Sequence, residues 1–362
     1  MRIHLIALSV ALALALGLAA VAPISAQTDP DADIIVTVGD TPITREDFHA
    51  RVRFVRWQYL QEIAKLHELT AGNLGLTAGR VLTLLNSLRN PDELGAEVLR
   101  QMEDELLARA EAGRLGIEPS AEAIAARRDE FFSLWTGVEV EALASDADAQ
   151  AFIEEWYASA QEASGLEREA IDEVFATEAL WDVLYERIAA QAPTEELTIH
   201  SRHILCSFDT QPDEDLTPEE CIRAARERLG GGEPFEHVAA DLSADAATAD
   251  RGGDLGWIPL SYLVDGYAEA AESAPLNAVI GPVETSQGLH LIQVLEREVR
   301  SLTERDQAQA RADLFAQWLD ELRAGATLTR ADDWAADIPD EPGLDTLPPD
   351  VLAALEQLET MD

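Results

Sequence analysis

The sequence predicts an α+β protein in which a segment of strands and helices is inserted in an all-α domain built from both ends of the chain. Three observations lead to this fold class. Apolar residues recur at helical spacing up to Ala192, strands and helices alternate from Leu197, and a last helical stripe begins at Thr303. At 362 residues the chain is long enough for two domains, each with its own core.

The predicted segments follow one another along the chain. They are an export signal (1–26), an N-terminal helical domain (27–195), an inserted α+β domain (196–298), a C-terminal helix packing on the N-terminal domain (299–338) and an acidic, loosely ordered tail (339–362). Composition changes at each boundary: proline and charged residues replace the apolar periodicity near residue 193 and again after residue 339.

The signal is predicted from a positive charge followed by an apolar run. Arg2 precedes the run from Leu5 to Val21, and the small residues Ser25 and Ala26 suit a cleavage site. We expect cleavage after Ala26, with an uncleaved anchor as the alternative. No cysteine follows the run, which excludes lipid attachment there. The mature chain is expected outside the cytoplasmic membrane, without further membrane insertion.

The chain is strongly acidic, with a formal net charge of −43 and a pI near 4.3. Nucleic acids and anionic lipids are bound by Lys and Arg that neutralise phosphates, so neither is expected as a partner. Apolar residues make up 47% of the chain, and this content keeps it in the globular class. The excess acid therefore forms a solvated surface.

The N-terminal domain begins with a hairpin and continues as helices. Residues 34–38 and 42–43 form the hairpin, and Thr44 with Asp47 resembles a capping box that starts a helix to about residue 69. Further helices are predicted at 81–88, from 91 to about 116, from 120 to about 134, around Phe152 and Trp156, and after Gly165, where the last helix carries Trp181, Leu184, Tyr185 and Ile188. The aromatic residues recur at helical spacing, which favours core positions over a ligand groove.

The inserted domain is organised around the stretch Arg251-Gly252-Gly253-Asp254-Leu255-Gly256-Trp257. Three glycines within five residues mark a place where another part of the protein approaches the backbone closely. The elements predicted around it are strands at 199–206, 280–283 and 289–295, and helices at 218–229, 235–242 and 264–273. His203 and His290 lie in the first and last of these strands.

The chain has two cysteines, Cys206 and Cys221, separated by an acidic loop. In an exported protein this pair favours a disulfide that closes the loop. Two unpaired buried thiols are the alternative.

Three motifs in order resemble the parvulin family of peptidyl-prolyl cis-trans isomerases. They are Arg202-His203-Ile204-Leu205, then Gly252-Gly253-Asp254-Leu255-Gly256-Trp257, then Gly281-Pro282-Val283 with Gly288-Leu289-His290. The resemblance covers about residues 197–298 and implies a four-stranded antiparallel sheet with surrounding helices. The flanks, with Ile43-Thr44-Arg45-Glu46-Asp47-Phe48, are similar to exported foldases of the SurA-like and PrsA-like kind, which implies that the helical domain is a chaperone domain.

The resemblance also implies which residues form the site. The paired histidines of the family correspond to His203 and His290, the cysteine or aspartate beside the substrate to Asp245, and the threonine beside the histidines to Thr285. The residues matched to the substrate-binding positions are Leu255, Leu263 and Tyr267 in the wall of the proline pocket, and Gln287 where some parvulins have serine. Asp245 is expected either to strain the carbonyl electrostatically or to position its neighbours.

The function implied is isomerisation of X-Pro bonds in unfolded or extended exported polypeptides. Rotation about an amide makes no bond, so neither a metal nor another cofactor is expected. An inactive holdase chaperone and an acidic structural scaffold of the cell envelope are the alternatives. Phosphate-directed parvulins carry basic residues after the first strand, whereas this chain has Asp209, Asp213, Glu214 and Asp215 there, so phosphopeptides are not expected substrates.

A metal site is a competing interpretation, because His200, His203 and Cys206 recur at every third residue. Successive side chains of a strand alternate between its faces, so His203 is expected to point away from the other two. This geometry argues against the metal site.

Overall fold

The computed structural model describes residues 33–209 and 216–360, so the predicted signal and residues 210–215 of the acidic loop lie outside the described residues. The chain divides into two compact units, Met1–Ala190 with Leu314–Asp362, and Gln191–Asp313. Within the described ranges, no helix combines the length and the apolar character needed to cross a membrane.

The first unit opens with a β-hairpin and then becomes helical. Strands β1 (Ile34–Val38) and β2 (Thr41–Thr44) pair antiparallel. The helices that follow are α1 (Arg45–Leu69), α2 (Ala78–Arg89), α3 (Pro91–Leu115), α4 (Ala121–Thr136), α5 (Val140–Leu143), α6 (Ala147–Ser164) and α7 (Arg168–Ala189). The hydroxyl of Thr44 accepts the backbone N–H of Asp47 at 3.1 Å, so the predicted start of α1 is confirmed.

Helix α1 contributes to two separate apolar clusters of the first unit. Phe48 and Ile63 belong to a cluster that includes residues of β1, α2 and α3. Phe54 and Trp57 belong to an aromatic cluster with residues of α4, α6 and α7, in which the rings of Trp57 and Trp156 lie 5.0 Å apart, edge to face. The prediction that these aromatic residues form core is therefore confirmed.

The second unit contains a four-stranded antiparallel sheet with the order β4-β3-β6-β5 in the described residues. Its elements are β3 (Glu195–Ser207), α8 (Pro218–Gly230), α9 (Phe235–Leu242), β4 (Asp254–Pro259), α10 (Asp265–Ser273), β5 (Val279–Thr285) and β6 (Gly288–Ser301). Helices α8 and α9 pack on one face around Ile204, and α10 packs on the other around Ile292. The predicted α+β insertion, including the hairpin of β5 and β6, is confirmed.

Cys206 and Cys221 form a disulfide between the end of β3 and helix α8. Both residues are buried in the cluster that covers this face of the sheet. The favoured interpretation of the two cysteines is therefore confirmed, and the alternative of unpaired thiols is wrong.

The last part of the chain contains α11 (Glu304–Gly325), β7 (Leu328–Arg330) and α12 (Pro349–Glu359). From Leu314 the chain belongs to the first unit, where Phe315 and Trp318 pack with Trp181 of α7. Strand β7 pairs with β1 and extends the N-terminal hairpin to three strands. The sequence analysis did not predict β7, because three exposed residues carry no alternation of polar and apolar side chains.

The expectation of a loosely ordered tail at 339–362 is wrong for the residues of α12. Val351, Leu355 and Leu358 lie three and four residues apart and are buried in the same cluster as Phe48. The prolines that suggested disorder are compatible with this helix, since Pro349 occupies its first turn, where a backbone N–H needs no partner. Composition alone thus concealed a short amphipathic helix.

The disulfide should stabilise the second unit. Replacing Cys206 and Cys221 by alanine is expected to lower its free energy of unfolding by about 3 kcal/mol, because the cross-link restricts a 15-residue stretch of the unfolded chain. Urea unfolding of the full chain, followed through NMR methyl signals of the second unit, measures the change. Reductant should destabilise the unsubstituted protein alone, and equal stability of both proteins would contradict the prediction.

Helix α12 should stabilise the first unit through its buried stripe. Leu355→Ala is expected to cost about 2–5 kcal/mol, since it removes buried apolar atoms and leaves a cavity. Glu356→Ala, one residue further and exposed, is the matched control. Thermal unfolding monitored by circular dichroism should separate the two variants, and a Leu355 variant as stable as the control would show that α12 does not hold the unit together.

Candidate functional site

The site is centred on two histidines from neighbouring strands of the second unit. In the register of β3 and β6, His203 pairs with Ile292 and Leu205 pairs with His290, so the two histidines are diagonal neighbours on one face of the sheet. Their Nδ1 atoms are 3.2 Å apart and their ring planes are inclined by 23°. They are 5% and 1% exposed, respectively. The sheet therefore brings together two imidazoles separated by 86 residues of chain.

Two glycines allow the backbone to approach these strand positions. Gly253 has a φ of 76°, and a Cβ atom there would lie 2.0 Å from the carbonyl oxygen of His203. Gly281 has a φ of 115°, and its Cβ atom would lie 2.4 Å from the carbonyl oxygen of His290. Any other residue would collide with the strand that carries the histidine. The close approach predicted from the glycine motif is confirmed at Gly253.

Polar side chains extend the histidine pair at both ends. Asp245 Oδ2 lies 2.9 Å from Nε2 of His203, and Thr285 Oγ1 lies 2.8 Å from Nε2 of His290. The backbone N–H of Gln287 donates to Thr285 Oγ1 at 3.1 Å. The result is one continuous row of hydrogen bonds from Asp245 to the turn between β5 and β6.

Burial sets the protonation of the two rings. Desolvation lowers the pKa of both histidines, and together with the charge of neighbouring His203 it lowers the pKa of His290 to about 4. Asp245 opposes this effect but does not overcome it. Both imidazoles are therefore neutral near pH 7, and each carries a single N–H.

With neutral rings, the hydrogen bonds assign the proton positions. An ionised Asp245 only accepts, so His203 carries its proton on Nε2 and its Nδ1 accepts from Nδ1–H of His290. Nε2 of His290 then accepts from the hydroxyl of Thr285. The two rings are thus opposite tautomers, and neither has an N–H left for another partner.

Asp245 stays ionised because hydrogen bonds outweigh its partial burial. Burial alone raises the pKa of this carboxyl, but bonds from Thr248 and His203 lower it below the ordinary value. The backbone N–H of Ala247 binds the second oxygen, Oδ1, at 3.1 Å. Thr248 was not predicted from the sequence; its position three residues after Asp245, where side chains of a tight turn meet, was the signal that could have identified it.

Tyr267 lies beside both imidazoles and joins them to an apolar cluster. Its ring is edge-on to His203 and to His290, at centroid distances of 6.0 Å and 5.6 Å. The hydroxyl of Tyr267 lies 3.0 Å from Oγ of Ser201, and burial raises its pKa. Leu255 and Leu263 are half-buried and pack in the same cluster as this ring.

The structure groups most of the predicted site residues. His203, Asp245, Thr285 and His290 form one hydrogen-bonded row, and Leu255, Leu263 and Tyr267 belong to the adjoining apolar cluster. Gln287 differs, because its side chain is exposed and it meets the row through its backbone N–H. Among the described residues, no hydrogen bond joins the side chain of Gln287 to the histidine row, and its part in substrate binding stays a prediction.

The three residues of the competing metal interpretation do not come together. Cys206 is bonded to Cys221, in the cluster on the face of the sheet opposite to Tyr267. His200 Nε2 instead lies 2.9 Å from Asp254 Oδ1. His203 is engaged by Asp245 and His290, as the alternation along β3 predicted.

The part of the chain that contains this site matches a known domain family. Residues 185–298 match the family described as the PPIC-type PPIase domain. The second unit is therefore a parvulin-type peptidyl-prolyl isomerase domain, and the resemblance identified from the sequence is confirmed.

Individual relatives include two curated chaperones. The chain is 36% identical over 149 residues to chaperone SurA of Methylobacillus flagellatus, covering 39% of this chain and 34% of that protein. It is 36% identical over 147 residues to chaperone SurA of Bordetella avium, covering 38% and 29%. The match thus spans about a third of the length of these relatives. A solved structure of the peptidylprolyl isomerase PrsA from Bacillus cereus is 17% identical, covering 91% of this chain and 99% of that one, with a TM-score of 0.40.

The lowered histidine pKa values predict a loss of stability in mild acid. Between about pH 6.5 and pH 4 the unfolded chain binds a proton at His290 that the folded chain does not, so the second unit should become less stable as the pH falls. The full effect is about 3 kcal/mol at 1.36 kcal/mol per pKa unit.

Urea unfolding at fixed pH values between 4 and 7, read through methyl signals of the second unit, measures this pH dependence. His290→Asn should flatten it, whereas His237→Ala, at an exposed histidine of α9, should leave it unchanged. The same slope in the His290 variant and in the unsubstituted protein would show that His290 is not the group responsible.

Proposed function

We propose that the second unit catalyses cis-trans isomerisation of X-Pro bonds in unfolded exported polypeptides, and that the whole chain acts as a folding chaperone. The observation that carries this proposal is the neutral imidazole pair set against the ring of Tyr267, in continuity with the cluster of Leu255 and Leu263. Apolar side chains of this kind suit a proline ring. The row of hydrogen bonds keeps the polar groups beneath them in fixed positions.

Isomerisation makes no covalent bond, so it needs no reactive group. It is helped by a surface that excludes water and holds its polar groups in fixed positions. Rotation about an X-Pro bond crosses a barrier of roughly 18–20 kcal/mol because it breaks amide resonance. Resonance separates charge in the planar amide, so the twisted state is less polar and is favoured when water is removed. The two imidazole rings are polar but uncharged, and their N–H groups already donate to partners in the hydrogen-bonded row. They therefore form a surface of this kind.

Support for export comes from the sequence and from the disulfide. Residues 1–26 have the pattern of an export signal, and disulfides persist in oxidising compartments outside the cytoplasm. We propose a periplasmic or other extracytoplasmic location. Two relatives that match this chain over 149 and 147 residues carry the name chaperone, which supports the same role for this chain.

We propose that the first unit holds extended client segments while the second unit acts on their X-Pro bonds. Two apolar side chains of the first unit, Leu76 and Leu69, are 71% and 39% exposed. Burial of apolar surface drives the association of unfolded chains with a chaperone, so these two side chains are proposed contacts for clients.

The decisive experiment is a protease-coupled isomerase assay on proline-containing tetrapeptides. The unsubstituted chain should accelerate isomerisation, and His203→Ala should lower kcat/KM by about tenfold or more, because it removes the centre of the hydrogen-bonded row. His237→Ala is the matched control at an exposed histidine. Circular dichroism checks that each variant is folded.

Two other outcomes would identify a different function. Background activity that is unchanged in His203→Ala and in Asp245→Asn would contradict the isomerase and favour a holdase. A light-scattering assay with an aggregating client then separates a holdase, which suppresses aggregation, from an acidic structural scaffold, which does not.

A further inference from the structure

Thr248 is a polar side chain that lies beside both Asp245 and His203. It is 4% exposed, and its hydroxyl donates a hydrogen bond to Oδ2 of Asp245, the same oxygen that accepts from His203. The hydroxyl oxygen lies 3.4 Å from Nε2 of His203. Thr248 therefore contacts both members of the pair that begins the hydrogen-bonded row.

The backbone of Thr248 is held as firmly as its side chain. Its N–H donates to the carbonyl oxygen of Asp245 at 3.1 Å, and its own carbonyl accepts from Gly253 N–H at 2.9 Å. The carbonyl of Gly253 in turn accepts from the N–H of His203 at 2.9 Å. These bonds form a closed circuit that fixes the distance between the hydroxyl, the carboxylate and the ring.

A role in the local turn does not explain the hydroxyl. Thr248 precedes the short 3₁₀ turn Ala249–Arg251, but its side chain makes no capping hydrogen bond to that turn. The hydroxyl is directed to Asp245 instead. In the absence of this donor, a partly buried carboxylate would lose one of its three described hydrogen-bond donors.

We propose that Thr248 is a positioning residue of the isomerase site: it fixes the carboxylate of Asp245 and, through it, the tautomer of His203 and the order of the row to Thr285. This inference rests on the proposed function for its kinetic consequence but not for its structural one. It also assigns Asp245 to positioning rather than to direct strain on the substrate carbonyl, because both oxygens of its carboxylate are engaged in holding the site: Oδ2 accepts from His203 and Thr248, and Oδ1 accepts from the N–H of Ala247.

The test compares Thr248→Val, which keeps the shape and removes the hydroxyl, with Thr248→Ser, which keeps the hydroxyl. Thr198→Val is the control, because Thr198 is also buried in this unit and its hydroxyl donates to the backbone carbonyl of Glu196, away from Asp245 and His203. Each is made in the full chain. Nitrogen-15 NMR reports the tautomer of His203, and carbon-13 NMR reports the ionisation of Asp245, whose titratable neighbours are His203 and, one ring further, His290.

We expect Thr248→Val to raise the pKa of Asp245 toward its ordinary value and to give His203 a mixture of tautomers. The value of kcat/KM should fall about tenfold, mainly through kcat, and the acid limb of its pH profile should move to higher pH. Thr248→Ser should keep all four readouts close to those of the unsubstituted protein. Thr198→Val should change none of them.

An unchanged His203 tautomer and an unchanged acid limb in Thr248→Val would overturn the proposal. If that variant does not fold, Thr248→Ala carries the same comparison with Thr248→Ser. The NMR readouts need no turnover, so an unsubstituted protein without isomerase activity would contradict the proposed function alone. The positioning of His203 by Thr248 would still be decided by the tautomer.

Discussion

The contact between the two buried imidazoles is the interaction on which the geometry of the site depends. Side chains alternate along a strand, so a slip of one residue between β3 and β6 would move His290 to the opposite face and separate the pair. The register is secured by the apolar residues of both faces, with Ile204 in one cluster and Ile292 in the other. The register that packs both faces of the sheet is thus also the register that brings the two histidines together.

Two glycines allow other segments of the chain to pack closely against the strands that carry the histidines. Gly253 and Gly281 bring other segments against the carbonyl oxygens of His203 and His290, at distances that no side chain permits. The loop that carries Asp245 and Thr248 is brought to the ring by the same approach, since Gly253 bonds both Thr248 and His203. The glycine motif, which the sequence indicates only as a place of close backbone approach, therefore also positions the polar side chains of the site.

Much of this site could be predicted from the sequence, because its main features are covalent or steric. Glycine spacing predicted the close approach of the backbone, and the cysteine pair around a loop favoured a disulfide, whereas the pairing of the two histidines came from the resemblance to a family. Thr248 carries no such meaning by itself: a threonine is ordinary in a loop, and only the fold places its hydroxyl against Asp245. The resemblance to a family supplied Asp245, but not the residue that holds it.

The fold was predictable wherever periodicity was long, and less so where elements were short. Strand β7 has three exposed residues, and α12 follows a proline-rich, acidic stretch, so neither has the extended pattern on which sequence reasoning relies. Both are stabilised by tertiary contacts: β7 by pairing with β1, and α12 by the buried Leu355 and Leu358. Their stability comes from partners far away in the sequence.

The site also shows how burial prevails over the charge of the whole chain. A net charge of −43 creates a field that favours protonated histidine, and Asp245 adds to it at hydrogen-bond distance. The pKa values of His203 and His290 are nevertheless lowered. Burial removes water from the charged form of each ring, and this destabilises the charged form more than the carboxylates stabilise it. The charge of the whole chain therefore does not set the protonation of the two rings, which stay neutral. Neutral rings in fixed tautomers suit the proposed isomerisation, because an X-Pro bond loses polarity during rotation.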